Sequence, residues 1–267
     1  MEPLIRVSRI SYGIMMAALA VQQIIYVAFR PVILPPVTFP GYAICVYVTS
    51  IALIVASMAI ILDKKAGTVC LILGALFLLL FVCGFIPYEF ISDPSWKNFG
   101  AWTFADKDLV FAGGGFVVAG SYPIRQAVIS KESSVIRFLE KLIPFGSVFF
   151  CITMISFGID HFLYAKVVST LVPTWIPGSM FWTYFAGAAL ILSGITIILR
   201  IQLKWSALLL SLMIFLWFLM LHIPRAIADP YGLQGNEVSS VFEAFGFSGI
   251  AYLIAYGYHS GVASKKS

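Results

Sequence analysis

The residues with the most chemistry to offer stand at the ends of long apolar runs. Asp160 and His161 close one run, His222 and Arg225 flank Pro224 at the end of another, and Glu243 opens a third. An ionisable side chain in or beside a membrane span is costly, which by default suggests a function. Asp160, His161, His222, Arg225 and Glu243 together are the polar contacts expected to bind a small, partly apolar molecule such as a quinone. Neutral imidazoles are also metal ligands, so His161 and His222, on separate helices, could hold a haem. Each residue also has a plainer role available. His161 could pair with a neighbouring acid and His222 with a backbone carbonyl. Arg225 could hold an anion with its fork of donors or simply extend its head to the interface. Glu243 and Asp229 either neutralise Arg225 or sit in water.

The loop after His161-Phe162 runs Leu171-Val172-Pro173-Thr174-Trp175-Ile176-Pro177-Gly178 into the next apolar run. Proline fixes its own backbone and lacks a donor, so Pro173 and Pro177 predict a stiff, irregular loop. Trp175 suits an interface, with its ring half buried and its N–H wet, and is expected among the ligand-binding residues. The segment is short and apolar enough to fold back as a lid.

The elements that must position these residues are membrane helices. Hydrophobic residues make up 61% of the 267 and charged residues only 11%, where soluble domains carry about 25% charged residues. Apolar runs predict spans over 11–29, 42–62, 67–86, 109–122, 144–163, 179–199, 205–223 and 244–259, each near the length that crosses roughly 30 Å of hydrocarbon. The fourth is short and Gly-rich, as membrane helices are where they pack closely. The first is long enough to span and is expected to remain in the mature chain. Cys45, Cys70, Cys83 and Cys151 fall inside the runs and are expected to act as small buried hydrophobes.

A net charge of +5 could suggest nucleic acid, but the basic residues lie in short loops between spans. They report topology instead. Twelve Lys and Arg fall on the side holding Arg6, Arg9, Lys64, Lys65, Arg125, Lys131, Arg137, Lys141, Arg200, Lys204, Lys265 and Lys266. Five fall on the other: Arg30, Lys97, Lys107, Lys166 and Arg225. Positive residues stay inside, so both termini are expected in the cytoplasm, in a bacterial cytoplasmic membrane.

The chain also matches itself at an offset of 137 residues without a gap. Pro36, Pro40, Gly41, Tyr47 and Pro87 map onto Pro173, Pro177, Gly178, Tyr184 and Pro224, and 17 of the 60 pairs from position 34 to 93 are identical. Unrelated apolar helices share Leu and Ile by chance, but not turn-forming residues in register. The predicted fold is an all-α membrane protein of eight transmembrane helices in two tandem parallel four-helix repeats. The first repeat is 1–122, the linker 123–143 includes a short cytoplasmic helix, and the second repeat is 144–267. An even number of spans per repeat makes the repeats parallel. At the positions matching Asp160, His161, His222, Arg225 and Glu243, the first half carries Gln23, Ile24, Phe85, Tyr88 and Asp106, so a single polar site belongs to the second half.

The His161-Phe162 pair, the Val172-Pro173-Thr174-Trp175-Ile176-Pro177 loop and the helices around them resemble the DoxX family of small membrane proteins over about 120 residues. The resemblance implies a four-helix membrane fold. For some members it also implies association with oxidoreductase complexes, including a thiosulfate to quinone oxidoreductase. It points to His161, Phe162, Pro173, Trp175 and Pro177. A duplicated, eight-span chain departs from the family's four-span form.

No GxGxxG, P-loop, HExxH, GxSxG or paired-cysteine motif stands in the right context. No cofactor beyond the quinone or haem reading is therefore encoded, and no metal site is expected. Rings of charge within spans are missing, which argues against an ion pore. Three readings follow: a subunit or accessory of a redox system, with lipids and a redox protein as partners; a transporter of a small apolar or anionic molecule; and a non-catalytic scaffold. Dispersal of the five polar residues is what the scaffold reading predicts.

Overall fold

The computed structural model describes residues 2–92, 95, 97–122 and 134–257, and the regular structure among them is helical throughout. Part of the predicted linker (123–133), His259 and the Lys265-Lys266 anchor lie outside the described residues. The helices are α1 (Glu2–Tyr26), α2 (Tyr42–Ile61), α3 (Ala66–Leu80), α4 (Thr103–Gly120), α5 (Gly146–Leu163), α6 (Ser179–Ile198), α7 (Leu203–Trp217) and α8 (Gly232–Tyr256). Short helices Ser134–Glu140 and Ala165–Ser169 flank α5. Seven helical segments are long and apolar enough to cross a membrane. The chain is therefore a multi-pass helical membrane protein. The eighth helix, α4, carries Asp106, Lys107 and Asp108 near its start, and every residue from Asp108 to Gly120 is buried. It begins six residues before the predicted span because those charges are covered by protein rather than left in a loop.

Helices adjacent in sequence pack together, and α1 closes the arrangement against α8. The inner positions fall to α1, α4, α5 and α8. Three consecutive glycines let α4 serve as the central post, because a side chain at each would strike a different neighbour. A Cβ on Gly113 would lie 2.7 Å from the Gly146 carbonyl of α5, on Gly114 2.5 Å from Ile250 of α8, and on Gly115 2.7 Å from the Cys70 carbonyl of α3. Without a solvent-driven force between helices in lipid, such backbone approach is how membrane helices gain packing energy. Cys70 and Cys151 are buried as expected, whereas Cys45 and Cys83 are exposed on the outer helix faces.

Both α3 and α7 end in the same way. A π turn, Phe81–Phe85 or Phe218–His222, leads into a last helical stretch, Ile86–Ile91 or Ile223–Ala228, whose first turn contains Pro87 or Pro224. Proline removes one i→i−4 hydrogen bond and its ring crowds the preceding turn, so the helix widens just before it. The ranges of α2 and α6, of α3 and α7, of the π turns and of the final stretches differ by 137 residues at their starts. Gly41 and Gly178, which precede α2 and α6, share left-handed backbones with φ of 80° and 75°.

α8 starts well before the predicted span, through a turn in which Leu233, Gln234 and Gly235 all adopt positive φ. Arg30 holds this turn. Although it is a loop residue of the first half, it is buried, and it donates to the Gln234 carbonyl at 2.7 Å and the Ser239 hydroxyl at 3.1 Å. Gln22 adds a bond to the Gly235 carbonyl at 3.0 Å.

Candidate functional site

A cavity of about 350 Å³ lies among α4, α5, α6, α7 and α8, within the size range of small-molecule sites. Asp160, His161, His222 and Glu243 all line it, so four of the five polar residues singled out in the sequence converge on one space. Lys107, from the start of α4, joins them. Its wall is otherwise mostly apolar, with Phe157, Trp182, Trp217 and Phe247 supplying aromatic surface.

Local structure explains how each polar group reaches the cavity. Asp160 and His161 sit in the last turn of α5, and His161 can approach α6 because Gly187 has no side chain. A Cβ there would lie 2.8 Å from that of His161. His222 closes the π turn of α7, where Pro224 has displaced the backbone. Glu243 lies near the middle of α8, and its Oε2 is 2.7 Å from Lys107 Nζ, with only 4% and 16% of the two side chains exposed. Asp106, one residue before Lys107, accepts a hydrogen bond from Ser156 of α5. Its backbone carbonyl accepts another from Thr153 at 2.8 Å, so the charged start of α4 is fastened to α5.

The hydrogen-bond accounts of the lining residues are incomplete. Asp160 Oδ1, His222 Nδ1 and Glu243 Oε1 are buried and make no hydrogen bond. Leaving a buried polar atom unsatisfied costs on the order of 1–3 kcal/mol, and all three atoms belong to residues that line one cavity. Neither of the plainer roles expected for the histidines is met at Nδ1. His161 Nδ1 bonds the Phe157 carbonyl at 2.7 Å rather than an acid. His222 Nδ1 has no carbonyl partner. Among the described residues, no group of three or more His, Cys, Asp or Glu side chains is arranged to hold a metal ion.

Two of the predicted residues lie elsewhere. Arg225 does not line the cavity; it forms a two-point pair with Glu237, at 2.9 Å from Nε and 2.5 Å from Nη2. That partner is neither Glu243 nor Asp229. Asp229 instead accepts from the backbone N–H of Gly232 at 2.8 Å. Trp175 is 64% exposed and outside the cavity. Its neighbours Leu171 and Val172 are the loop residues on the wall, while an Ile176 N–H to Pro173 carbonyl bond at 2.9 Å folds the rest into a turn. The stiff loop thus presents its first residues to the cavity and its tryptophan to the surroundings. Phe162 faces away from the cavity and stacks on Tyr184, with ring centroids 5.5 Å apart. Pro173, Pro177 and Gly178 shape the approach to α6, as Pro36, Pro40 and Gly41 do for α2.

Most of the wall escaped the sequence reading, Lys107, Trp182 and Trp217 included. Lys107 was counted with the loops, yet three charged residues directly before a glycine-rich apolar run signal a buried pair seeking a partner. Trp182 and Trp217 carry no such signal, being ordinary aromatic residues of apolar helices.

The fold and site define a class: a multi-pass helical membrane protein with a mostly apolar cavity between its helices that carries a buried ion pair and two histidines. No family model, no curated protein and no solved structure matches the chain.

Proposed function

We propose that the cavity binds a small aromatic molecule with polar ring substituents, of the quinone type, and that the chain acts as a membrane subunit or accessory of a redox system. The observation that carries this reading is the convergence of Asp160, His161, His222 and Glu243 on one aromatic-lined space. A flat ring suits the Trp182, Trp217 and Phe157 surfaces, and its substituents suit the polar atoms left unbonded. The scaffold reading loses ground because the polar residues are gathered. Kinship with DoxX proteins remains supported by the His161-Phe162 pair and the Val172 to Pro177 loop. A redox protein and the surrounding lipids are the partners this role requires.

The architecture belongs to the same proposal: eight spans in two tandem four-helix repeats, with α4 and α8 equivalent. It is supported by the offset of 137 residues shared by the starts of α2 and α6 and of α3 and α7, by the π turns and by the left-handed glycines. It is also supported by matching neighbour relations, since α1 packs on α2 and α8 as α5 packs on α6 and α4. On this reading both termini are cytoplasmic, following the twelve-to-five distribution of Lys and Arg.

The test is calorimetric titration of decylubiquinone, or its reduced form under argon, into the full chain in detergent, with His161→Ala and His222→Ala beside it. Each variant is expected to lose about tenfold in affinity, the worth of one buried hydrogen bond in a site of this kind. Equal binding by His161→Ala and the parent chain removes the main support for the reading.

A further inference from the structure

We infer that the cavity takes its ligand in a hydrogen-donating form, an aromatic diol of the quinol type, in preference to the corresponding dicarbonyl quinone. This rests on the quinone-type reading above and adds which redox state the protein holds.

The basis is the balance of donors and acceptors on the wall. A backbone carbonyl can only accept, so the bond between His161 Nδ1 and the Phe157 carbonyl at 2.7 Å places a proton on Nδ1. In the neutral ring, Nε2 is then left with a lone pair. Glu243 gives Oε2 to Lys107 and keeps Oε1 unbonded, and Asp160 Oδ1 is likewise unbonded. The lining hydroxyls add acceptors, not donors. Thr103 donates to the Gly100 carbonyl at 2.7 Å, Thr183 to that of Ser179 at 3.0 Å, and Ser240 to that of Asn236 at 3.0 Å. Each has spent its one proton and presents lone pairs.

The donors that remain are fewer: the Lys107 ammonium, already drawn to Glu243, the indole N–H groups of Trp182 and Trp217, and one nitrogen of His222. A dicarbonyl ring brings only oxygen lone pairs, which two carboxylates and a fixed imidazole lone pair cannot bond. A diol brings two O–H groups across the ring for those acceptors, and its oxygens can still accept from Lys107. Hydrogen bonds to charged acceptors are the stronger kind, and an unmet buried acceptor is expensive. The two redox states of one ring are therefore distinguished at the site.

The test compares decylubiquinol and decylubiquinone by calorimetric titration under argon, using the full chain in one detergent. Binding of the quinol about tenfold tighter than the quinone is the expected result. Asp160→Asn keeps the side-chain size and exchanges an acceptor for an amide donor, and His161→Gln supplies a donor at the second position. Either change is expected to narrow the ratio by about threefold or more. Equal affinities, or a tighter quinone, overturn the preference while leaving a quinone-type site standing. A ratio unchanged in both variants also overturns it. Failure of both compounds to bind removes the site itself, and the preference with it.

Discussion

Lys107 Nζ lies 2.7 Å from Glu243 Oε2, and this buried contact joins α4 to α8 across the edge of the cavity. One partner comes from each half of the chain, so the same pair both fastens the halves and sets the charge at the proposed site. Two charges removed from water are costly, and removing one of them leaves the other uncompensated.

Lys107→Met is therefore expected to lose about 3–5 kcal/mol of unfolding free energy, because Glu243 stays buried without the partner 2.7 Å away. Lys107→Met combined with Glu243→Leu should recover to within about 1 kcal/mol of the parent, since an apolar pair of similar volume is tolerated there. Denaturant titrations of the three variants in micelles give the comparison. Additive losses in the double variant would show that the two residues do not act as a pair.

His222→Phe copies the residue found at the matching place in the first half, where Phe85 is buried at the π turn. The change removes a buried nitrogen that has no partner. Stability is expected to stay level or rise by about 1 kcal/mol, while affinity for the aromatic ligand falls. A variant that loses stability and keeps full affinity would place His222 in the fold rather than the site.

Gly113→Ala forces a methyl group to within 2.7 Å of the Gly146 carbonyl and 2.8 Å of the Phe150 nitrogen, both of them backbone atoms. Separating α4 from α5 is expected to cost about 1–3 kcal/mol, as overpacking does elsewhere. Gly67→Ala is the control, since its Cβ would meet only the Tyr122 ring at an ordinary 3.4 Å. Thermal unfolding of both in the same detergent separates a packing effect from a general intolerance of alanine.

Arg30→Ala removes two of the bonds that hold the left-handed turn at the start of α8, leaving the one from Gln22. Hydrogen bonds from a charged group contribute about 1.5–3 kcal/mol, so amide exchange across residues 232–239 should rise well above that of the α8 core. Uniform exchange along α8 would mean that the turn is held by other contacts.

Much of this was legible in the sequence because hydrophobicity and proline placement are local properties. The apolar runs located the helices, Pro224 marked the end of a span, and Pro173 and Pro177 announced an irregular loop. Partner choice was not legible. Arg225 had Asp229 four residues away and Glu243 eighteen away, yet it pairs with Glu237, which the folded turn at the start of α8 brings within reach. Lys107 looked like a loop charge because its counterweight, Glu243, is 136 positions distant and meets it only once α4 and α8 pack. Trp175 looked like the aromatic residue of the site; the turn between Pro173 and Ile176 points it outward, and Trp182, inside a helix, takes that position. Contacts fixed by packing between distant helices leave no short-range trace.

The most direct measurement is photolabelling of the full chain in lipid bilayers with an azido-quinol, followed by peptide mapping of the modified residues. The account predicts label on Met154, Phe157, Leu190 and Phe247 of the cavity wall, and competition by unlabelled decylubiquinol. A second groove between α6 and α7 shares Trp182, Met213 and Trp217 with the cavity and adds Phe185, Leu192, Leu209 and Leu216. Label confined to that groove, or spread over the exposed faces of α2 and α3 without competition, would contradict the claim that the cavity is the binding site.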